Sequence, residues 1–489
     1  MSQELGVTAD KEKNPSEWYT QVVQKADLAD YAPVKGCMVI KPYGMKIWES
    51  IRETFNEKIE DEVDPVYFPM FIPESLLEKE EEIVEGFGLE VAWVEQEQEE
   101  QEERIALRPT SESIISDYMS RWIRSHRDLP FRVNQWANIV RWEVSDTRPF
   151  LRTREFLWQE GHTAHRNDEN ATEETLKRLE QYRGVIEDHL GIPSLLGYKP
   201  EHDKFPGAKF TTTIETLMPD GKSIQSGTSH NLGQHFAEAF DITFEDTDSE
   251  EKTCYTTSWG LSTRVIGALI MAHGDSDGLR LPPSIAPVQV VVVPIYQDDN
   301  RGEVVEYAEE VAGELEEQGV KVELDDRDHR TPGYKFNEWE LKGVPLRLEI
   351  GPNEVEDEEV TAVRRDTGDR EVLDRDEVAG ETDSLLEEVQ DSLYGELEDY
   401  LQENIRLAES KQEILGTIGK NRGYVKTRWC GKETCEKEVK DEVAAEIVIL
   451  PFDEDSKPET LQEEDECIDG ECAICGDDAK RWAYFAKNY

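Results

Sequence analysis

Ile47, Ile51, Phe55 and Ile59 recur every four residues, a spacing that predicts one apolar stripe along a helix. An extended run, Pro65-Val-Tyr-Phe-Pro-Met-Phe-Ile-Pro73, follows it and predicts a strand. Further on, FRVNQWANIVRWE (Phe131 to Glu143) alternates in the manner of a strand. Side chains switch faces at each step, so Val133, Gln135, Ala137, Ile139, Arg141 and Glu143 are expected on one face. After a turn-rich stretch, Ser145 to Pro149, a second strand is expected from Leu151 to His162. The same parity aligns Arg152, Arg154, Phe156, Trp158, Glu160 and His162. The proline-rich segment Leu281 to Pro287 marks a boundary. From Val288 to about Leu373 the order strand, helix, strand, helix, strand predicts a small α/β domain with a mostly parallel sheet. An acidic helical stretch, about Leu385 to Ile414, leads into a tail carrying cysteines. The expected division is 15–285, 286–385 and 386–489.

Composition narrows the functional classes. Acidic residues number 109 against 54 basic, a net charge of −55. The 11 Trp, 15 Phe and 16 Tyr favour a folded core over disorder. A charge of this size costs folding free energy through self-repulsion unless salt screens it, a lever that halophiles use. It also argues against nonspecific nucleic-acid binding, so any such contact must be local. The first fourteen residues lack the apolar centre of a signal peptide. The apolar run Val288 to Ile295 is too short to span a bilayer. A cytoplasmic protein with no membrane contact is expected. Of seven cysteines, five follow residue 429, a clustering that suggests metal rather than disulfides.

The two aligned faces carry the chemistry. Arg141 beside Glu143 suits a ligand with anionic and cationic or metal-bound parts, although an ordinary cross-strand ion pair would look the same. The second face runs from guanidinium groups, which grip phosphates with planar forks, through two rings to a carboxylate and an imidazole. Rings with a carboxylate suit a small apolar ring bearing a charged amine.

RWE, the loop after it and FLRTREFLWQEGHTAH resemble motif 2 of class II aminoacyl-tRNA synthetases, most closely the prolyl enzymes of the archaeal/eukaryotic type. VKGCMVIKPYGMKIWESIRE through VYFPMFIP resembles motif 1, and SWGLSTRVIGALIMAHGD resembles motif 3. LRPTSE resembles the loop that holds the substrate proline, and KSIQSGTSHNLGQHF the segment shared by both substrates. The likeness runs from about Trp18 to Tyr489.

The resemblance implies a mixed α/β fold: a class II catalytic domain with an antiparallel sheet, an α/β anticodon-binding domain and a small zinc-bearing C-terminal α/β domain. It implies a homodimeric ligase that joins L-proline to tRNA(Pro) with ATP and Mg²⁺. Thr110, Glu112, Arg141, Trp158, Glu160, His162, Phe210 and His230 would hold proline. Arg141, Glu143, Arg152, Thr153, Gln225, Thr228, Ser262 and Arg264 would hold ATP. Arg141, Arg152 and Arg264 would be catalytic, with Glu143 as a metal contact. Some sixty residues between His165 and Gln225 leave no room for an editing domain, so some activation of alanine is expected. Glu340 would read guanine edges, with Arg347, Arg364 or Arg365 on phosphates. Cys430, Cys435, Cys472 and Cys475 would hold a structural zinc, with Cys467 as a competing ligand. The CAIC spacing departs slightly from the family's pattern. By analogy, the Tyr489 carboxylate would reach toward the catalytic pocket. A synthetase-like protein without catalysis, and another class II specificity such as threonyl or glycyl, are the alternatives. The three arginines speak against the first, and TSE, WQEGH and TSH together against the second.

Overall fold

A computed structural model describes residues 6–83, 90–95, 103–420, 423–452 and 468–489. Cys467 lies outside the described residues. The apolar stripe falls on a helix, Pro42–Ile59, entered through a proline that needs no amide donor. Ile47, Ile51, Phe55 and Ile59 are all buried. Phe55 stacks on Tyr182 with ring centroids 4.9 Å apart and meets the edge of Trp259. Tyr182 comes from the helix Asp168–Gly184. Two helices thus cover one face of a central sheet.

Among the described residues that sheet has eleven strands. Its catalytic part runs, in spatial order, Ser194–Tyr198, Phe210–Leu217, Lys222–Gly233, Tyr255–Ser262, Glu155–His165 and Phe131–Val140, paired antiparallel throughout. Register sets Gln135 opposite Glu160 and Val133 opposite His162. At Gly161 a β-carbon would come within 2.0 Å of the Trp259 ring, so the covered face requires glycine beside Glu160.

The two motif strands are shorter than alternation predicted. One ends at Val140 and its partner begins at Glu155. Between them the chain folds back on itself, Arg148 bridging Arg152. Pro149 has no amide to pair and Phe150 takes a left-handed φ of 60°, which stops a regular hairpin there. Arg141, Glu143, Arg152 and Arg154 therefore sit on the connecting loop, where side chains no longer alternate between faces.

The α/β unit has five strands in the order Val322–Leu324, Val290–Pro294, Leu346–Ile350, Glu359–Arg364, Arg370–Asp374. The first three are parallel, but the last two return antiparallel, so the sheet is mixed rather than mostly parallel. The connection is too short for a crossover helix to turn the chain around: Pro352–Asp357 spans 6 residues and ends at Glu358 with φ 55°. The proline-rich boundary is itself packed, with Leu281 and Ile285 buried.

The acidic helix spans Val378–Glu403, and the expected continuation is interrupted by a strand, Ile405–Ala408, before a second helix, Lys411–Lys420, takes in Ile414. The C-terminal strands do not form a separate layer. Glu446–Pro451 pairs with Ser194–Tyr198 through Leu450 and Pro451, and Arg481–Asn488 runs beside Lys222 and Ser223. At Gly197 a β-carbon would meet the Leu450 carbonyl at 2.1 Å, so this junction also needs glycine.

Candidate active site

The uncovered face of the catalytic sheet carries a cavity of about 430 Å³. At one end Glu160, nearly fully buried, organises the polar groups. Its Oε1 accepts from Ser111 Oγ at 2.7 Å, Gln135 Nε2 at 2.6 Å and Trp158 Nε1 at 3.2 Å. Among the described residues its Oε2 has one partner, His162 Nε2 at 3.3 Å, which leaves acceptor capacity for a ligand's N–H. Gln135 reaches Glu160 because cross-strand register puts the two opposite each other. Thr110 donates to the Glu112 carboxylate at the first turn of the helix Glu112–Trp122. His230 pairs its Nδ1 with Thr211 Oγ1 at 2.9 Å. Burial pulls His230 down to about 4, the Glu112 charge opposing, so the imidazole is neutral at physiological pH.

Phe210, expected in this wall, does not line the cavity. It packs on Tyr198 at 5.5 Å, toward the C-terminal strands. The aromatic wall is Phe205, whose ring lies 4.8 Å from that of His230. It stands on the irregular segment before Gly207, whose φ is +80°. The Phe-Pro-Gly turn was the available signal, but strand parity gives no direction to a side chain on a loop.

At the other end guanidinium groups converge. Arg264 opens the helix Arg264–His273 directly after the strand Tyr255–Ser262, and its Nε donates to the Leu151 carbonyl at 3.3 Å. Burial brings it down to about 10, and the charges of Arg141 and Arg152 push the same way. Arg141 lies over the Phe156 ring at 5.5 Å. Burial lowers it too, while Glu143, Glu112 and Glu160 oppose. In a chain with twice as many acids as bases, none of these three arginines forms an ion pair among the described residues. Gln225, Thr228 and Ser262 also line the cavity. Gln225 and Thr228 flank a bulge in the strand, between Gln225 and Gly227.

Three other expected nucleotide ligands stand apart from the cavity wall. Glu143 and Arg152 are exposed on the loop, and Thr153 spends its hydroxyl on the Glu155 carbonyl at 2.8 Å. Tyr489 does not line the cavity either. Its hydroxyl donates to Asp220 at 2.6 Å, and Arg148 lies over its ring.

In the α/β unit the expected phosphate contacts are already engaged by carboxylates. Arg347 bonds Glu340 at 2.8 Å and Glu349 at 3.0 Å. Arg365 grips Asp275 with two bonds of 2.7 Å, and Arg364 pairs with Asp366. Local neutralisation is the physical consequence of so acidic a surface, and spacing along the chain could not reveal it.

Cys430, Cys435, Cys472 and Cys475 come from three separate places: the end of a strand, a helix and a tight turn. Their sulfurs all lie within 4.8 Å of one another. Cys430 is 3.6 Å from both Cys435 and Cys475. Tetrahedral zinc with bonds of about 2.3 Å requires sulfurs about 3.8 Å apart, so the four thiols fit that ion.

A model of the tRNA synthetase class II core domain (G, H, P, S and T) matches residues 93–273. An anticodon binding domain matches 289–385, and a prolyl-tRNA synthetase C-terminal domain 412–489. The chain is 58% identical over 489 residues to the proline–tRNA ligase of Haloarcula marismortui, covering 100% of this chain and 99% of that one. The corresponding ligase of Natronomonas pharaonis is 57% identical with the same coverage. Crystal structures of Cryptosporidium parvum prolyl-tRNA synthetase superpose with a TM-score of 0.91 at 39% identity, covering 100% of this chain and 98% of that one. One is a complex with halofuginone and AMPPNP, the other with L-proline and AMP. No helix among the described residues is long and apolar enough to cross a membrane. This chain belongs to the class II aminoacyl-tRNA synthetases, within their proline–tRNA ligase family.

Proposed function

We propose that the cavity activates L-proline with ATP to prolyl-adenylate, then passes the prolyl group to the 3′ end of tRNA(Pro). The observation that carries this reading is the set of Arg141, Arg152 and Arg264, which form no ion pair among the described residues of a protein where acids are abundant. Polyanion binding relieves their mutual repulsion. The solved relative with L-proline and AMP supports the pairing of these two ligands.

The pyrrolidine ring would lie between Phe205, Trp158 and His230, its ammonium toward Glu112 and the Oε2 of Glu160, which still has acceptor capacity beside His162. A proline carboxylate oxygen attacks the α-phosphorus; the bond to the bridging oxygen breaks and pyrophosphate leaves. Arg141 lines the cavity within electrostatic reach of both Glu160 and Arg264, and would hold the proline carboxylate against the phosphate. Arg264 would stabilise the charge that gathers on the phosphoryl oxygens, with Arg152 contributing from the rim. The nucleotide arrives with Mg²⁺, and Glu143 is the candidate metal contact. A hydroxyl of the terminal tRNA ribose then attacks the prolyl carbonyl, and AMP departs.

Between His165 and Gln225 the chain forms a helix, a π-helical turn, two strands and the start of a third, all belonging to the catalytic sheet and its cover, which supports the absence of an editing domain. Since one missing methylene is worth only about 1–3 kcal/mol, alanine is expected to be activated and its product released uncorrected. The four cysteines would hold a structural zinc with no open position for chemistry. Glu340 and Arg347 remain the candidates for anticodon contact, and a homodimer through the motif 1 region is the expected assembly.

Rapid quenching of enzyme, ATP and radiolabelled proline before tRNA is added tests the sequence of steps. Labelled prolyl-adenylate should accumulate at the active-site concentration and chase into tRNA. Label reaching tRNA only when all three substrates are mixed together, with no adenylate, would refute the two-step order.

A further inference from the structure

A run of buried polar groups passes from the C-terminal strands to the floor of the cavity. Tyr424, at the start of the strand Tyr424–Trp429, is fully buried, and its hydroxyl lies 2.9 Å from Ser223 Oγ. Ser223 donates to Glu215 Oε2 at 2.6 Å. A serine has one hydrogen to give, so the Tyr424 O–H is the donor into Ser223. Burial holds the phenol far above its ordinary range, so it stays protonated. Glu215, 1% exposed, also accepts from Thr213 at 3.0 Å and pairs with Lys199 at 3.1 Å.

Glu215 lies directly opposite Gln225 in the strand pairing, and cross-strand partners share a face. Ser223, two residues before Gln225, is on that face as well. Gln225 lines the cavity, and the strand bulges immediately after it. The negative charge of Glu215 also offsets the repulsion that Arg264 receives from its neighbouring arginines. We propose that Glu215 is a positioning residue for the nucleotide end of the cavity, fixed in place by Tyr424 of the C-terminal strands through Ser223. This rests on the assignment of Gln225 and Arg264 to the nucleotide. The C-terminal strands then do more than hold a metal: they set the geometry of ATP binding from beneath.

Pyrophosphate exchange separates this from a docking role. Tyr424→Phe removes the bond to Ser223, and Ser223→Ala removes both that bond and the one to Glu215, each while keeping the chain packed. Each is expected to raise the ATP KM about threefold to tenfold, with the proline KM and the Tm nearly unchanged. Glu215→Gln should raise the ATP KM further, and the double variant Tyr424→Phe/Ser223→Ala should lose no more than the worse single one. Equal increases in both KM values, or a lower Tm with an unchanged ATP KM, would reduce the chain of bonds to a docking contact and overturn the proposal. Should Tyr424→Phe fail to fold, the split is read on Ser223→Ala alone. Absence of proline-dependent exchange in the unaltered enzyme would instead remove the activity on which the proposal stands.

Discussion

Glu80 is a carboxyl in a place that suits only its neutral form. It is 2% exposed, and among the described residues neither oxygen makes a well-formed hydrogen bond, the Ser113 hydroxyl opposing the shift only weakly. Burial, aided by the Glu112 charge, pushes it up to about 8. The folded state therefore keeps a proton that the unfolded chain releases near the ordinary glutamate range. Its contribution to stability is full at low pH, declines as pH rises from about 4.5, and is lost on passing about 8. The difference in Tm between wild type and Glu80→Gln, followed from pH 5 to pH 9, should move steadily in favour of the glutamine variant. A difference independent of pH would contradict the buried proton. Phe205 and Phe210 make a second contrast. Phe205→Ala is expected to raise the proline KM about tenfold or more through lost ring contacts, whereas Phe210→Ala should leave it near wild type and lower the Tm. The reverse pattern in exchange kinetics would restore Phe210 to the pocket.

At the scale of elements, what the sequence reveals depends on whether periodicity is obeyed. The Pro42–Ile59 helix and the face bearing Trp158, Glu160 and His162 were legible because regular backbone fixes side-chain direction. The loop 141–154 was not, since a proline and a left-handed residue break the alternation that placed Arg141 and Arg152. The junction of Leu450 with Tyr198 left no local trace, because pairing between strands some 250 residues apart is written in neither segment alone. The cysteine cluster was legible as two short-spaced pairs, though not as a meeting of strand, helix and turn. Cys435→Ser is expected to release about one zinc per chain to a chromogenic chelator and to lower the Tm by several degrees. A variant with unchanged Tm, and no zinc in either protein, would show that the thiols fold without metal.

Over the whole molecule, charge is the dominant fact. A balance of −55 is relieved locally by ion pairs such as Arg365–Asp275 and Arg280–Glu396, which also join the α/β unit and the long helix to the catalytic part. We propose that high potassium screens the remaining repulsion. The Tm should then climb as KCl is raised from about 0.1 M to about 2 M, where the screening length shrinks below 3 Å. A Tm that falls over that range would oppose this account. The most direct measurement of the central claim is ATP–pyrophosphate exchange in high KCl, on protein whose folding is checked in the same buffer. Label should enter ATP when L-proline is present, and Arg264→Ala should reduce the rate about a hundredfold or more. Folded enzyme that exchanges no label with proline, or an Arg264→Ala variant that exchanges as fast as wild type, would contradict it.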